Sequence, residues 1–287
     1  MAEINQRKLD HIHIVSDDGA IDRQRHYFDR IHLTHRALPE LNLADVDPSC
    51  SFLGKELALP LLISSMTGGA DEELVAINRN LAIAAQAEGV ALAVGSQRVF
   101  LSDDAARESF ELRRHAPDIP LIGNLGAVQL NYDVGFADCE AAVKVLDADG
   151  LYLHLNPLQE AVQPEGDTDF YDLRNKIAMI VTSLKKPVII KEVGAGVSPE
   201  DVEHLLGAGI KHIDVAGTGG TSWSMVESRR SDDPELGELF GDWGIPTPVA
   251  LRLMKPYRNE INVIASGGIR NGIDMAKAII LGASLCG

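Results

Sequence analysis

Eight short apolar runs, separated by longer amphipathic stretches, follow one another from residue 60 onward, and this repeat constrains the fold more than any other feature. The runs are PLLISSM (60–66), VALAVGS (90–96), PLIGNL (120–125), GLYLHLN (150–156), PVIIKEV (187–193), HIDVAGT (212–218), NVIASGG (262–268) and ASLCG (283–287). The first four begin thirty residues apart. Because the runs are continuously apolar, they predict parallel strands that are buried on both faces.

The segments between the runs have the periodicity of amphipathic helices. Their apolar stripes are Leu74, Ile77, Leu81 and Ala84; Phe170, Leu173, Ile177, Ile180 and Leu184; and Ile273, Ala276 and Ile280. Asp71 and Gly89 flank the first stripe as an N-cap and a C-terminal stop, and Ser198-Pro199-Glu200 begins another helix. Repeated strand–helix units with right-handed crossovers predict a (β/α)8 TIM barrel; an open doubly wound sheet fits eight near-uniform units less well.

Two parts of the chain lie outside this repeat. Residues 1–59 are predicted to form an N-terminal extension, and residues 60–287 a catalytic barrel. Residues 217–246 read as a long connection after the sixth strand, which in a compact domain indicates a functional or mobile loop. We also expect the barrel to lack its final helix, because the sequence ends at Gly287, directly after the eighth strand.

Composition narrows the class of protein. Forty-two acidic residues against 26 basic ones give a net charge of −16, which disfavours nucleic acids and anionic membranes as partners. No apolar run approaches the roughly 18 residues of a membrane span, and the start carries no secretion signal. Three widely spaced cysteines fit neither a disulfide scaffold nor a cysteine zinc site. We therefore expect a cytoplasmic enzyme.

Polar residues end almost every predicted strand, at the edge where barrel enzymes hold their active sites. The Ser266–Arg270 turn has glycines and a following helix that suit a phosphate, although a plain tight turn has the same composition. Lys191 follows an apolar strand, so its ammonium group must have either a counter-charge or a functional role. It is a Schiff-base lysine, a cation beside an anionic cofactor, or a strand-end lysine that reaches solvent beside Glu192.

Three further features carry two interpretations each. His154 lies within a strand, where a satisfied core histidine is the ordinary case. Gln159 and Glu160 end an uncharged stretch, where an amide can orient a substrate and a carboxylate can hold Mg²⁺; a solvated loop is the alternative. Arg7-Lys8, with His11 nearby, forms either a frayed arm or an arm that closes over a polyanion.

Taken together, RKLDHI, SSMTGG, GSQR, HLNPLQE, the strand-five lysine, GTGGTSW and SGGIR resemble the type 2 isopentenyl-diphosphate isomerases, which are FMN-dependent barrel enzymes. The resemblance runs from residue 7 to residue 287. It implies that FMN contacts Ser65, Met66, Thr67, Ser96, Asn124, Lys191, Thr221, Gly267, Gly268 and Ile269. It also implies a substrate-binding set of Arg7, Lys8, His11, Ser96, Gln97, Arg98, Asn156 and Gln159, with Gln159 and His154 catalytic and Glu160 holding Mg²⁺.

The implied reaction converts isopentenyl diphosphate to dimethylallyl diphosphate, with reduced FMN as acid and base and with NADPH as the reductant that charges it. No paired carboxylates suited to this proton transfer stand out in the sequence. We expect a homo-oligomer. One departure from the family is Ala216, where many members have a serine, so that a flavin contact is lost.

Three alternatives compete with the isomerase. An FMN-dependent 2-hydroxy-acid oxidase needs a histidine base and an arginine in the later loops, whereas the last histidine here is His212, before the sixth loop. A Schiff-base aldolase would use Lys191 and contain no flavin. A non-catalytic barrel that binds flavin or diphosphate is the third.

Overall fold

The computed structural model describes residues 2–287, with side chains from Gln6 onward. Two short strands, β1 (Cys50–Phe52) and β2 (Lys55–Leu57), form an antiparallel hairpin. Eight parallel strands follow. They are β3 (Leu62–Ile63), β4 (Ala91–Ala93), β5 (Leu121–Gly126), β6 (Gly150–Leu155), β7 (Val188–Glu192), β8 (His212–Asp214), β9 (Asn262–Ala265) and β10 (Leu285–Cys286). Seven lie within the predicted apolar runs, and β5 extends one residue beyond its run, to Gly126.

The eight strands pair in chain order, and the sheet closes on itself. Leu61 forms a parallel bridge with Cys286, whose N–H donates to the Pro60 carbonyl at 2.9 Å. The predicted (β/α)8 TIM barrel is therefore confirmed, and the open doubly wound sheet is wrong. The hairpin covers the amino end of the barrel, where Phe52 and Leu57 are buried with inward-facing residues of the strands.

Eleven α-helices in the described part of the chain surround the sheet or cover its mouth. They are α1 (Ala2–Asp17), α2 (Glu72–Glu88), α3 (Arg98–Ser102), α4 (Phe136–Leu146), α5 (Pro157–Val162), α6 (Leu173–Ser183), α7 (Pro199–Gly207), α8 (Trp223–Ser228), α9 (Glu235–Leu239), α10 (Thr247–Met254) and α11 (Gly272–Ile280). The predicted caps are confirmed: Asp71 accepts from Glu73 N, Gly89 is left-handed, and Ser198 forms a capping box with Asp201.

Two predicted helix faces need correction. In α2 the buried stripe is Leu74, Asn78, Ala82 and Ala85, whereas Ala84 is exposed. Burial of Asn78 is stable because its amide bonds Thr67 and Ser109. In α11 the predicted stripe is wrong: Ile273 and Ile280 are each 66% exposed, and Asp274 and Ala278 face inward.

The region read as a long loop, residues 217–246, contains α8 and α9. Two hydrogen bonds join the start of this segment to its end: Ser222 Oγ donates to Gly241 O, and Ser224 Oγ donates to Phe240 O. The predicted long connection therefore contains two short helices, and Gly217, Gly220, Thr221 and Trp223 of this segment line the main cavity. Among the helices of residues 2–287, none has both the length and the apolar character needed to cross a bilayer.

The N-terminal extension is fastened to the barrel by the buried Arg23. Its guanidinium donates to four backbone carbonyls from two regions, Gly194 at 3.0 Å, Thr221 at 3.3 Å, Gly241 at 2.8 Å and Trp243 at 3.3 Å. The adjacent Asp22 forms an antiparallel bridge with Thr221 and a two-pronged ion pair with Arg270 at 2.7 Å. This contact connects the extension to the loops that follow β7, β8 and β9.

We expect Arg23→Ala to lower the free energy of unfolding by about 2–4 kcal/mol, because four carbonyls lose a charged donor in a buried site. Urea denaturation measures this. The matched control is Arg79→Ala on the exposed face of α2, which should change stability by less than about 0.5 kcal/mol. Equal stability of both variants would show that Arg23 is not a structural anchor.

Candidate active site

A cavity of about 320 Å³ opens at the carboxyl ends of the barrel strands. Most of the residues singled out from the sequence line it. These are Arg7, Lys8, His11, Ser65, Met66, Ser96, Arg98, Asn124, His154, Asn156, Gln159, Glu160, Lys191, Thr221, Gly267 and Gly268. They come from the extension and from seven of the eight strand ends, so only closure of the barrel brings them together.

Three predicted site residues lie elsewhere. Gln97 is fully buried below the cavity, where its amide donates to Ala142 O and accepts from Asn124 N, so the predicted substrate contact is wrong. Thr67 faces a smaller cavity of about 100 Å³ beside α1. The side chain of Ile269 packs against the main apolar core.

Lys191 is held inside the barrel mouth by a buried carboxylate. Its Nζ lies 3.3 Å from Asp214 Oδ2 and 3.4 Å from Ser266 Oγ. Asp214 is fully buried and also accepts from Ser266 Oγ at 2.6 Å and from Tyr152 OH at 3.1 Å. The lysine is 7% exposed and belongs to the cavity lining, so its interpretation as a solvent-reaching strand end beside Glu192 is wrong.

The side chain of Glu192 points away from Lys191, and its carboxylate accepts hydrogen bonds from the backbone. Its Oε2 accepts from the successive N–H groups of residues 193–196. Burial raises the pKa of Glu192 to about 7 against the opposing effect of these N–H groups. The carboxylate fixes the turn that places Val193 and Gly194 in the cavity wall.

His154 is neutral in this site. Burial, and then the positive charge of Lys191, lower the pKa of His154 to about 3. Its Nδ1 lies 2.8 Å from Asn124 Oδ1, and the Asn124 amide donates to Val94 O at 3.1 Å. The imidazole is therefore a fixed hydrogen-bonding group rather than a proton donor at neutral pH.

Gln159 lies beside a carboxylate that the sequence reading missed. Its Nε2 donates to Glu227 Oε1 at 2.8 Å, and the same oxygen is 3.1 Å from His11 Nε2. Burial opposes ionisation of Glu227, but hydrogen bonds from His11, Gln159 and Arg230 keep its pKa below the ordinary value. Glu227 is thus a buried carboxylate in contact with two side chains of the cavity.

Glu160 is nearly buried and joins α5 to the loop that follows it. Asn156 Nδ2 donates to its Oε1 at 2.8 Å, and Asp167 N donates to its Oε2 at 2.7 Å. Asn156 Oδ1, a buried oxygen of the same lining, has no hydrogen-bond partner within the described part of the chain. One carboxylate and one unpartnered amide oxygen suit a hard cation that takes its other ligands from substrate and water.

Helix α1 lies over the cavity. Lys8 Nζ donates to Ser96 O at 3.2 Å, and the His11 ring meets Trp223 edge-on, with centroids 5.0 Å apart. Burial and the adjacent Arg7 lower the pKa of Lys8 to about 7. Of the two interpretations of Arg7-Lys8, the arm that closes over the site is the one observed.

Bare backbone forms the end of the cavity near β8 and β9, at Gly217, Gly220, Gly267 and Gly268. Gly267 has a φ of +95°, and a Cβ there would lie 2.1 Å from Gly217 O. A Cβ on Gly268, with φ +80°, would lie 2.6 Å from Gly219 O. Glycine is required because the two loops touch, and the surface left between them offers peptide groups to a phosphate.

Some residues in or beside the cavity were not predicted from the sequence, because their sequence patterns indicate a functional role only weakly. Asp214 interrupts a buried strand, which is a sign of an internal charge. Glu227 and Trp223 lie in the segment read as a loop, and only the fold brings α8 to α5. Gln129, also in the lining, follows β5 in a short helical turn that no strand-end pattern marks.

Two solved structures show the similarity of this fold to known proteins. A flavocytochrome b2 variant matches with a TM-score of 0.66 at 17% identity, over 97% of this chain and 70% of that one. A mandelate oxidase variant matches with a TM-score of 0.61 at 16% identity, over 98% and 82%. At these identities the likeness establishes the barrel fold alone.

Sequence relatives are much closer. The chain is 58% identical to an isopentenyl-diphosphate delta-isomerase of Paracoccus zeaxanthinifaciens over 98% of this chain and 82% of that protein. It is 54% identical to one of Hydrogenovibrio crunogenus over 99% and 84%. The family model for FMN-dependent dehydrogenases matches residues 2–111 and 156–287. The chain therefore belongs to the FMN-dependent dehydrogenase family and, within it, to the isopentenyl-diphosphate delta-isomerases.

Proposed function

We propose that this protein converts isopentenyl diphosphate to dimethylallyl diphosphate. The observation that carries the proposal is a single cavity lined by the buried Lys191, by Gln159, which donates to the buried Glu227, and by the cationic residues of α1. The test is to incubate reduced, FMN-loaded protein with isopentenyl diphosphate and Mg²⁺ and to follow the allylic product by NMR. No turnover with FMN demonstrably bound would favour a non-catalytic binding barrel instead.

FMN fits the residues that are present. Its phosphate would meet the bare backbone of Gly220, Gly267 and Gly268, and Lys191 would face the ring where reduction places negative charge. When bound, the reduced flavin supplies an acid–base group for the allylic proton shift. Asp214 holds the lysine in place for this contact, because both of its oxygens are already occupied by hydrogen bonds.

The substrate diphosphate would lie between α1 and the β4–α3 turn. Arg7, Lys8 and Arg98 line that part of the cavity. Charged donors bind phosphate oxygens strongly, and this remote contact positions a five-carbon tail that has no polar handle of its own. Mg²⁺ would be held by Glu160 and Asn156 Oδ1 together with oxygens of the diphosphate. Among the side chains of residues 6–287, no cluster of three or more His, Cys, Asp or Glu could hold a metal by itself.

Gln159 and Glu227 would orient the reacting end of the substrate. Gln159 donates to Glu227 Oε1, so its own Oε1 accepts from Asn156 and the amide orientation is fixed. Glu227 is ionised and buried, and its Oε1 lies within hydrogen-bond distance of both Gln159 Nε2 and His11 Nε2, so the carboxylate holds these two side chains in place. His154 remains neutral and contributes a hydrogen bond.

The oxidase alternative has little support in this site. His212 begins β8 and its ring packs edge-on against Phe52 of the hairpin, at the barrel end away from the cavity. No relative reported above is named an aldolase. We further propose NADPH as the reductant, a homo-oligomeric assembly and a cytoplasmic location, which suits the three free cysteines.

We expect Glu160→Gln to reduce Mg²⁺-dependent turnover by at least about tenfold, because one charged ligand is lost. Flavin content, read from the absorption spectrum, should stay near the wild-type value. Loss of the flavin absorbance in place of the metal dependence would contradict the assigned role.

Lys8 gives the site a pH dependence. Because its pKa is about 7, the ammonium is lost as pH rises from about 6 to about 8, and diphosphate binding should weaken over that interval. Lys8→Arg keeps its charge throughout, and comparing the two proteins removes the titration of the substrate itself. Parallel pH profiles of KM would show that Lys8 does not contact the diphosphate.

Lys191→Ala should weaken FMN binding by at least about tenfold, most strongly for the reduced form, because the buried Asp214 would then have no cationic partner to offset its charge. Flavin fluorescence titration measures the affinity. Thermal melting of the flavin-free protein separates this effect from unfolding. Unchanged affinity for both redox forms would show that the lysine does not face the flavin.

A further inference from the structure

The loop between α5 and α6 carries carboxylates to the cations of the cavity. We call residues 163–169 the acidic loop. Within it, Asp167 Oδ2 lies 2.8 Å from Arg98 NH1, and Glu165 Oε1 lies 2.7 Å from Arg230 NH2 and 3.5 Å from Arg7 NH1. Two of the three cations assigned to the diphosphate therefore have a carboxylate partner from this loop.

The acidic loop is fixed in this position by its backbone. A Cβ on Gly166 would lie 1.8 Å from the Glu160 carbonyl oxygen, so the chain passes in direct contact with α5. Asp167 N donates to Glu160 Oε2 at 2.7 Å, and Gln129 Nε2 donates to Asp167 Oδ2 at 2.9 Å. The two carboxylates are thus a built part of the cavity rim.

The carboxylates of this rim outnumber its cations before any ligand binds. The cations are Arg7, Lys8, Arg98 and Arg230, and the carboxylates are Asp133, Glu160, Glu165, Asp167 and Glu227. A site that must accept a multiply charged diphosphate therefore has no excess of positive charge to offer. Above pH 7 the net charge of the rim is less positive still, because the pKa of Lys8 is about 7 and its ammonium group loses its proton.

We propose that Glu165 and Asp167 make diphosphate binding conditional on a divalent cation. Without the cation, the diphosphate competes with the acidic loop for Arg7 and Arg98 and is repelled by the displaced carboxylates. With it, the added positive charge offsets the loop. The inference rests on the proposed function, because it requires that this rim binds the diphosphate.

The experiment is calorimetric titration of the flavin-loaded protein with inorganic pyrophosphate, with Mg²⁺ and with EDTA. The wild type should bind much more tightly with Mg²⁺. Asp167→Asn and Glu165→Gln should each tighten the Mg²⁺-free binding by about fivefold or more, and so reduce the ratio of the two dissociation constants.

Two variants serve as matched controls. Asp169→Asn removes the same charge from the same loop, but its carboxylate accepts from Tyr171 N, so the ratio should stay at the wild-type value. Asp167→Glu keeps the charge and should also keep the ratio. Flavin absorbance and thermal melting confirm that each variant is folded.

The outcomes separate the two proposals. If the wild type fails to bind pyrophosphate even with Mg²⁺, the proposed function is wrong at this rim. If the wild type binds with Mg²⁺ and Asp167→Asn and Glu165→Gln leave the ratio unchanged, or weaken binding in EDTA, the acidic loop does not set the cation requirement.

Discussion

A lysine and an aspartate buried together inside a closed barrel set the conditions for the rest of the site. An uncompensated ammonium at the end of β7 would be costly, and Asp214, one strand away, neutralises Lys191 at 3.3 Å. Tyr152 and Ser266 occupy the remaining acceptor positions of the aspartate, so the pair has little freedom to move. The cavity consequently keeps one fixed positive group in its lining.

The walls of the cavity differ in how they are built. Near β8 and β9 the wall is peptide backbone, and glycines are needed because loops meet within van der Waals distance. Near β4 and β6 the wall is made of charged and amide side chains. The N-terminal extension joins the two, with Arg23 holding the backbone loops and α1 lying over the charged part. The backbone wall and the charged wall are thus separate polar surfaces of one cavity.

Much of this was predictable because local sequence rules act on a few neighbouring residues. Buried apolar runs gave all eight barrel strands, and Asp71 and Ser198 marked their helices correctly. The failures have physical causes. The α11 stripe was wrong because periodicity does not say which face meets the sheet. Gln97 was misplaced because strand-end polarity cannot separate a side chain in the cavity from one that bonds the backbone beneath it.

By itself, the sequence determined which groups are available: a strand-five lysine, cations near the start, a Gln-Glu pair after the fourth strand and glycines after the seventh. Only the tertiary structure decided their partners. Lys191 pairs with Asp214 and not with the adjacent Glu192. Gln159 bonds Glu227, which lies 68 residues further along the chain, and Arg98 bonds Asp167, which lies 69 residues further along. Such pairings depend on barrel closure, which brings strand ends into contact regardless of their separation along the chain, and no local pattern carries that information.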